Sequence, residues 1–146
     1  LKAENNLGLI IIDYLQLMEA RANAENRVQA VAEITRALKG IARELDVPVI
    51  ALSQLARAVE MIKPAIPRLA HLRESGSIEQ DADVVMFIYR KSADRNYRPE
   101  ELSAQEKCSA ELHIAKHRNG PTGVIPLYFD APRASFKNID KRMDEE

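Results

Sequence analysis

In the stretch "LGLIIIDYLQLM", residues 7–18, four consecutive apolar positions, Leu9 to Ile12, run directly into Asp13. An unbroken aliphatic run of this length reads as a strand buried on both faces, as in a parallel sheet covered by helices. From Arg27 to Leu45 the pattern changes period. Val28, Val31, Ile34, Leu38, Ile41 and Leu45 recur every three or four positions, which predicts an amphipathic helix with Asn26 as its N-cap. Gly40 within it costs up to about 1 kcal/mol relative to alanine and suggests close packing. Pro48 blocks continuation, and "VIALS" (Val49 to Ser53) reads as a second buried strand. Strand, helix, strand is a βαβ unit, so the two strands are expected to run parallel.

Residues 19–26 are polar and read as a loop. A stretch containing Pro64 and Pro67 leads into "LRESGSIEQDAD" and then a third apolar strand, Val84 to Tyr89. Residues 90–107 are polar and lack a core face, which predicts an exposed excursion. "AELHIAKHRNGPTGVIPLYF" holds two strand-like runs around Asn119 and Gly120, a hairpin whose loop Pro121 and Gly123 lengthen. Residues 131–146 read as a peripheral tail. No internal repeat is present.

Composition narrows the classes. A chain of 146 residues suffices for one domain with a real core but is small for a complete nucleotide-dependent enzyme. With 46% hydrophobic and 29% charged residues it is globular rather than disordered. A formal net charge of −1 gives no global attraction for nucleic acid, so any such site must be a local patch. The single cysteine, Cys108, excludes an intramolecular disulfide and fits a reducing compartment. No apolar run approaches the ~20 residues of a membrane span. The start at Leu1, with no methionine and no signal-like segment, reads as part of a longer chain.

The candidate chemistry lies at strand ends. An ionisable residue at the carboxyl end of a buried parallel strand sits where open α/β sheets bind ligands. At that position Asp13 is either a turn or N-cap residue or, as in P-loop ATPases, the anchor of Mg²⁺ beside nucleotide phosphates. The second strand also ends in polar residues, Ser53 and Gln54. A glutamine there either caps a turn or senses a γ-phosphate. Two neighbouring strands with such ends are more informative than one. His71, His113 and His117 have no metal-ligand spacing with one another or with Cys108, so zinc is not expected.

"IIIDYLQLM", "VPVIALSQLAR", "LRESGSIEQDADVVMFIYR" and "AKHRNGPTG" occur in this order. In this they resemble the bacterial replicative DNA helicases of the DnaB type, ring-shaped hexamers with RecA-like ATPase domains. The resemblance runs from Leu7 to about Asp130. It implies an α/β, RecA-like fold: a mostly parallel sheet flanked by helices with a C-terminal β-hairpin, here a partial domain comprising the C-terminal portion of the ATPase domain.

Position by position, the resemblance makes Asp13 the Walker B aspartate, holding Mg²⁺ through water. Gln54 becomes the γ-phosphate sensor that links nucleotide state to the DNA loop. Arg73, Glu74 and Gly76 match the loop that binds single-stranded DNA in the central channel. An arginine can bond a phosphate, and a glycine lets one approach the backbone closely. Glu74 would repel phosphate and is better suited to offering its backbone N–H or fixing Arg73. The segment also reads as a helix start, with Ser75 or Ser77 capping and Glu79 in the first turn. Without an aromatic platform, it favours backbone over base recognition. Lys116 and Arg118, two apart on a strand, would leave the same face roughly 7 Å apart. They form either a solvated basic hairpin tip or, as the resemblance implies, a pair acting in trans on ATP held by the neighbouring subunit, with Arg118 the arginine finger. His117 and His71 replace residues more common in the family, and no role is carried to them.

A P-loop is absent from the sequence: none of Gly8, Gly40, Gly76, Gly120 and Gly123 is followed by lysine. The implied function is a segment of an ATP-dependent hexameric replicative helicase that translocates on single-stranded DNA and unwinds duplex in the 5'-3' direction. ATP and Mg²⁺ serve the intact protein, primase and a helicase loader are its partners within the primosome, and the bacterial cytoplasm, at the replication fork, is its location. The alternative is a stand-alone, non-hydrolysing module that binds single strands or assists ring assembly. By itself this polypeptide is expected to show no DNA-stimulated ATPase, since a phosphate cradle is missing. Purified turnover that disappears in Asp13→Ala would refute this.

Overall fold

The computed structural model of the protein describes residues 6–18, 27–72 and 76–139. The chain divides into two compact units, residues 1–56 with 69–82, and residues 57–68 with 83–146.

In the first unit the aliphatic run forms β1 (Ile10–Ile12), followed by α1 (Arg27–Leu45), β2 (Val49–Ala51) and α2 (Gly76–Asp81). β1 and β2 pair in parallel with Ile10, Ile11 and Ile12 opposite Val49, Ile50 and Ala51, the βαβ arrangement that the periodicity predicts. The helix occupies the predicted span. Its inward stripe buries Val31 and Ile34, while Thr35, also buried, donates from its hydroxyl to Asp81 Oδ2 at 2.7 Å and ties α1 to α2. Asn26, expected as the cap, and the loop 19–26 lie outside the described residues.

The helix stops before Pro48 acts. Asp46 takes a left-handed conformation (φ 48°), and the amides of Asp46 and Val47 bond the carbonyls of Arg43 and Ala42 at 3.3 and 3.1 Å. This is a Schellman ending with aspartate where glycine is usual. Val47 is then buried beneath the turn. Two expectations are corrected. Gly40 is not a close-packing position, because nothing lies within 4 Å of a Cβ placed there. Nor are the two strands buried on both faces: Ile11 and Ile50, which share a face by register, are 62% and 44% exposed.

The second unit is an antiparallel meander, β3 (Val84–Tyr89), β4 (Ser109–His117), β5 (Gly123–Asp130) and β6 (Ser135–Asn138), in that spatial order. The parallel part of the chain is thus β1 and β2, and the antiparallel ladder is the larger among the described strands. β3 alternates strictly: Val85, Phe87 and Tyr89 are buried, and Val84, Met86 and Ile88 are exposed. A one-residue irregularity between Val85 and Met86 shifts the β3–β4 register.

Residues 90–107, expected as an exposed excursion, carry two buried residues, Asp94 and Leu102. Asp94 Oδ2 accepts from Ala65 N at 2.8 Å and from the Tyr89 hydroxyl at 3.0 Å. Its Oδ1 accepts from the amide and side chain of Asn96, both at 2.9 Å. A buried carboxylate with four donors anchors a loop without an apolar side chain, which a count of apolar positions does not register. The excursion ends in α3 (Ala104–Cys108), whose capping box pairs Ser103 with Glu106. The Lys91 ammonium and the Ser103 donors hold the Glu106 carboxyl down at about 2.

The peripheral tail likewise begins with structure. β6 pairs with β5, Phe136 stacks on Phe129 at 4.9 Å between centroids, and Asp130 accepts from both Arg133 and Lys137 at 2.9 and 2.8 Å. Residues 140–146 lie outside the described part.

Burial pushes the Asp94 carboxyl up, but the donated hydrogen bonds outweigh it and leave its pKa below the ordinary 3.8. A folded-state pKa below the unfolded one contributes stability that is fully present above the unfolded value and lost as pH falls through the folded one. Asp94→Ala should therefore cost about 3 kcal/mol at neutral pH, and Tyr89→Phe about 1 kcal/mol. In denaturant titrations the gap between wild type and Asp94→Ala should narrow below pH 4. A gap independent of pH would contradict the assignment.

Candidate nucleotide and DNA site

The β1–β2 ladder continues past both strands. Leu52 N donates to Ile12 O and Leu15 N donates to Leu52 O, both at 2.9 Å, and Leu15 is buried. These bonds fix where the chain leaves the sheet. Asp13 follows β1 directly and is exposed, and Ser53 and Gln54 emerge from the neighbouring strand at the same carboxyl edge. The aspartate that ends an aliphatic strand is therefore solvated, and its charge meets no burial cost.

Sequence reasoning missed Gln16. It sits in the short 3-10 turn Leu15–Leu17, its amide donates to Ser53 Oγ at 2.9 Å, and its Oε1 accepts from the Gln54 backbone N–H at 3.2 Å. One side chain thus clips the end of β1 to the end of β2. The available signal was a polar residue three positions after Asp13 between two leucines, which reads on its own as an ordinary exposed turn position.

Beyond Gln54 the chain makes a second tie. Ala56 N donates to His71 O at 2.8 Å, joining a residue two places after Gln54 to one two places before Arg73. Arg73, Glu74 and Ser75 lie outside the described residues. Gly76 is the first residue of α2 and exposed; its φ is not positive and nothing lies within 4 Å of a Cβ built there. Among the described residues, neither backbone strain nor a neighbour requires glycine at this position. Ser77 does not cap the helix: it lies inside α2, and its hydroxyl is buried without a hydrogen-bond partner among the described residues.

In the second unit, Lys116 lies on β4 opposite Val85, at the register irregularity. Arg118 is not on the strand, as the two-residue spacing argument assumed. It opens the turn 118–120, past the end of β4. Its backbone N–H donates to Asp83 O at 2.8 Å and its Nη1 contacts Asp83 Oδ1 at 3.2 Å. The His117 ring folds over the turn, Nδ1 lying 3.4 Å from Pro121 O, and occupies the space a side chain at Gly120 would need. The structure thus gathers Asp13 and Gln54 on one sheet edge and places Lys116 and Arg118 together at a hairpin end.

No group of three or more His, Cys, Asp or Glu residues able to hold a metal is found among the described residues. An octahedral cation that keeps most of its waters and takes phosphate oxygens needs only one or two carboxylates. Asp13, an exposed carboxylate at the carboxyl end of β1, fits that role. No helix of the described residues is long and apolar enough to cross a membrane.

Residues 1–138 match the family described as the DnaB-like helicase C-terminal domain. The chain belongs to that family. It is 49% identical over 97% of its length to a replicative DNA helicase DnaB of Rickettsia felis, and 50% identical over 99% to that of Geobacillus stearothermophilus. It spans 31% of each of those relatives. Among solved structures, it matches the ATPase domain of G40P with a TM-score of 0.80 at 45% identity, covering 90% of this chain and 44% of that one. A DnaB-like replicative helicase described with its interactions with primase matches at a TM-score of 0.79 and 43% identity, over 90% of this chain and 30% of that one. These likenesses extend to the fold: this DnaB-like chain is a RecA-like α/β segment.

If Gln16 clips the end of β2 in place, Gln16→Ala should speed hydrogen exchange at the Gln54 amide by roughly tenfold, the loss of about one hydrogen bond. The Leu52 amide, bonded to Ile12, should keep its protection. Unchanged exchange at Gln54 would count against the clip.

Proposed function

We propose that this chain is the part of a hexameric, ATP-dependent replicative DNA helicase that couples nucleotide state to single-stranded DNA. The observation that carries the reading is the chain of bonds from the sheet edge to the DNA segment. Asp13 and Gln54 share an edge, Gln16 holds the Gln54 backbone, and the Ala56–His71 bond at 2.8 Å ties the following residues to those that enter Arg73, Glu74 and Gly76. A displacement of Gln54 toward or away from a γ-phosphate is transmitted along main chain rather than through mobile side chains.

The roles follow from chemistry. Asp13 holds Mg²⁺ through water, and the bound cation offsets phosphate charge. Gln54 bonds the γ-phosphate. Arg73 pairs with a DNA phosphate, Gly76 admits the backbone closely, and Glu74 orients its neighbours. Lys116 and Arg118 face ATP held by the adjacent subunit, Arg118 as the arginine finger. The primase contact described for a structural relative, and a helicase loader, belong to the intact protein, which works in the bacterial cytoplasm at the replication fork. The alternative of a non-hydrolysing module that binds single strands or helps rings assemble is weaker, because Asp13, Lys116 and Arg118 would have no task in it.

In the full-length protein Arg118→Ala should reduce hydrolysis by ~10³-fold or more with nucleotide binding retained. Mixing this variant with one lacking the P-loop lysine should restore part of the activity, because one subunit supplies the finger and another the pocket. No restoration at any ratio, with mixed rings verified, would rule out action in trans.

A further inference from the structure

The turn that carries Arg118 is held twice by one residue. Asp83 accepts the Arg118 backbone N–H through its carbonyl at 2.8 Å, and its carboxylate contacts Arg118 Nη1 at 3.2 Å. The two contacts do different things. The main-chain bond fixes where the hairpin end lies against the start of β3. The carboxylate acts on the guanidinium itself, contacting one nitrogen of a planar, rigid fork and so bearing on the orientation of the whole group. Both side chains are about half exposed, 45% for Arg118 and 54% for Asp83. A pair so exposed adds little to folding stability.

We propose that Asp83 is a positioning residue for Arg118. A solvated arginine samples many rotamers, and a finger must place its guanidinium within a fraction of an ångström of developing charge. Held at Nη1 by Asp83, the guanidinium is oriented before ATP of the next subunit arrives. Asp83 follows α2 by two residues in sequence, so the same short stretch that leaves the DNA segment ends on the residue that aims the finger. This inference rests on the reading of Arg118 as the trans finger.

The test uses the full-length hexamer, with Asp83→Ala, Asp83→Asn and Arg118→Ala compared for steady-state ATPase and assembly state. Asp83→Ala leaves the main-chain bond in place and should lower kcat about fivefold, with the KM for ATP, hexamer mass and Tm unchanged. Asp83→Asn keeps an acceptor oxygen at the same place and should retain at least half of kcat. A kcat for Asp83→Ala equal to wild type would overturn the inference, as would an increase, which would make Asp83 a restraint on the finger. Equal losses in the alanine and asparagine variants would assign the effect to charge rather than orientation and overturn it as well. Full activity in Arg118→Ala would instead remove the finger reading itself, and so separates the two failures.

Discussion

Four hydrogen bonds at the carboxyl edge of a two-stranded parallel ladder set where the chain carries Asp13 and Gln54 in the first unit. Leu52 bonds back to Ile12, Leu15 bonds back to Leu52, and Gln16 spans from the turn after β1 to Ser53 and Gln54. In a parallel pair both chains leave the sheet at the same end, so polar residues that close two separate apolar runs become neighbours. Burial of Leu15 keeps the turn from swinging away. With that edge fixed, Asp13 can be solvated and Gln54 can be held by its backbone, which leaves its side chain for other partners.

The second unit solves a different problem, holding a long polar insertion that buries Leu102 as its apolar contact and Asp94 as a polar anchor. Asp94 does so by collecting donors from Tyr89, Ala65 and Asn96, bringing the segment 57–68 onto the end of β3. Burial pushes the Tyr89 hydroxyl pKa up, and its bond to the Asp94 carboxylate pushes it further in the same direction. That pair stays a neutral donor on an ionised acceptor throughout the physiological range. Next to Tyr89, Arg90 places its guanidinium over the Phe129 ring, 3.4 Å from the centroid.

Family membership and local geometry speak to different levels. Matching residues 1–138 to a DnaB-like helicase domain says what kind of protein contains such a segment. The bonds Gln54–Gln16, Ala56–His71 and Arg118–Asp83 say how the segment holds its candidate residues, and each joins an expected site residue, or one two positions from it, to a residue that pattern reading passed over.

The sequence by itself determined the elements whose signal is periodic. α1 spans Arg27–Leu45, β3 spans Val84–Tyr89, and β1 and β2 are parallel, because spacing of apolar side chains specifies period and a helix between two strands specifies direction. It also marked Asp13 and Gln54, since polar residues ending aliphatic strands are conspicuous in one dimension. What only the tertiary structure decided depended on pairing between residues far apart in the chain. Gln16 finds Ser53, Thr35 finds Asp81, and Asp94 finds Ala65, none of which shares a local pattern with its partner. The Arg118 position belongs here too: a strand count put it on β4, but its amide bonds Asp83 at the turn, so the hairpin end rather than the strand face sets its direction. Hydrogen bonds to single polar groups have no periodicity, and so only the folded chain reveals them.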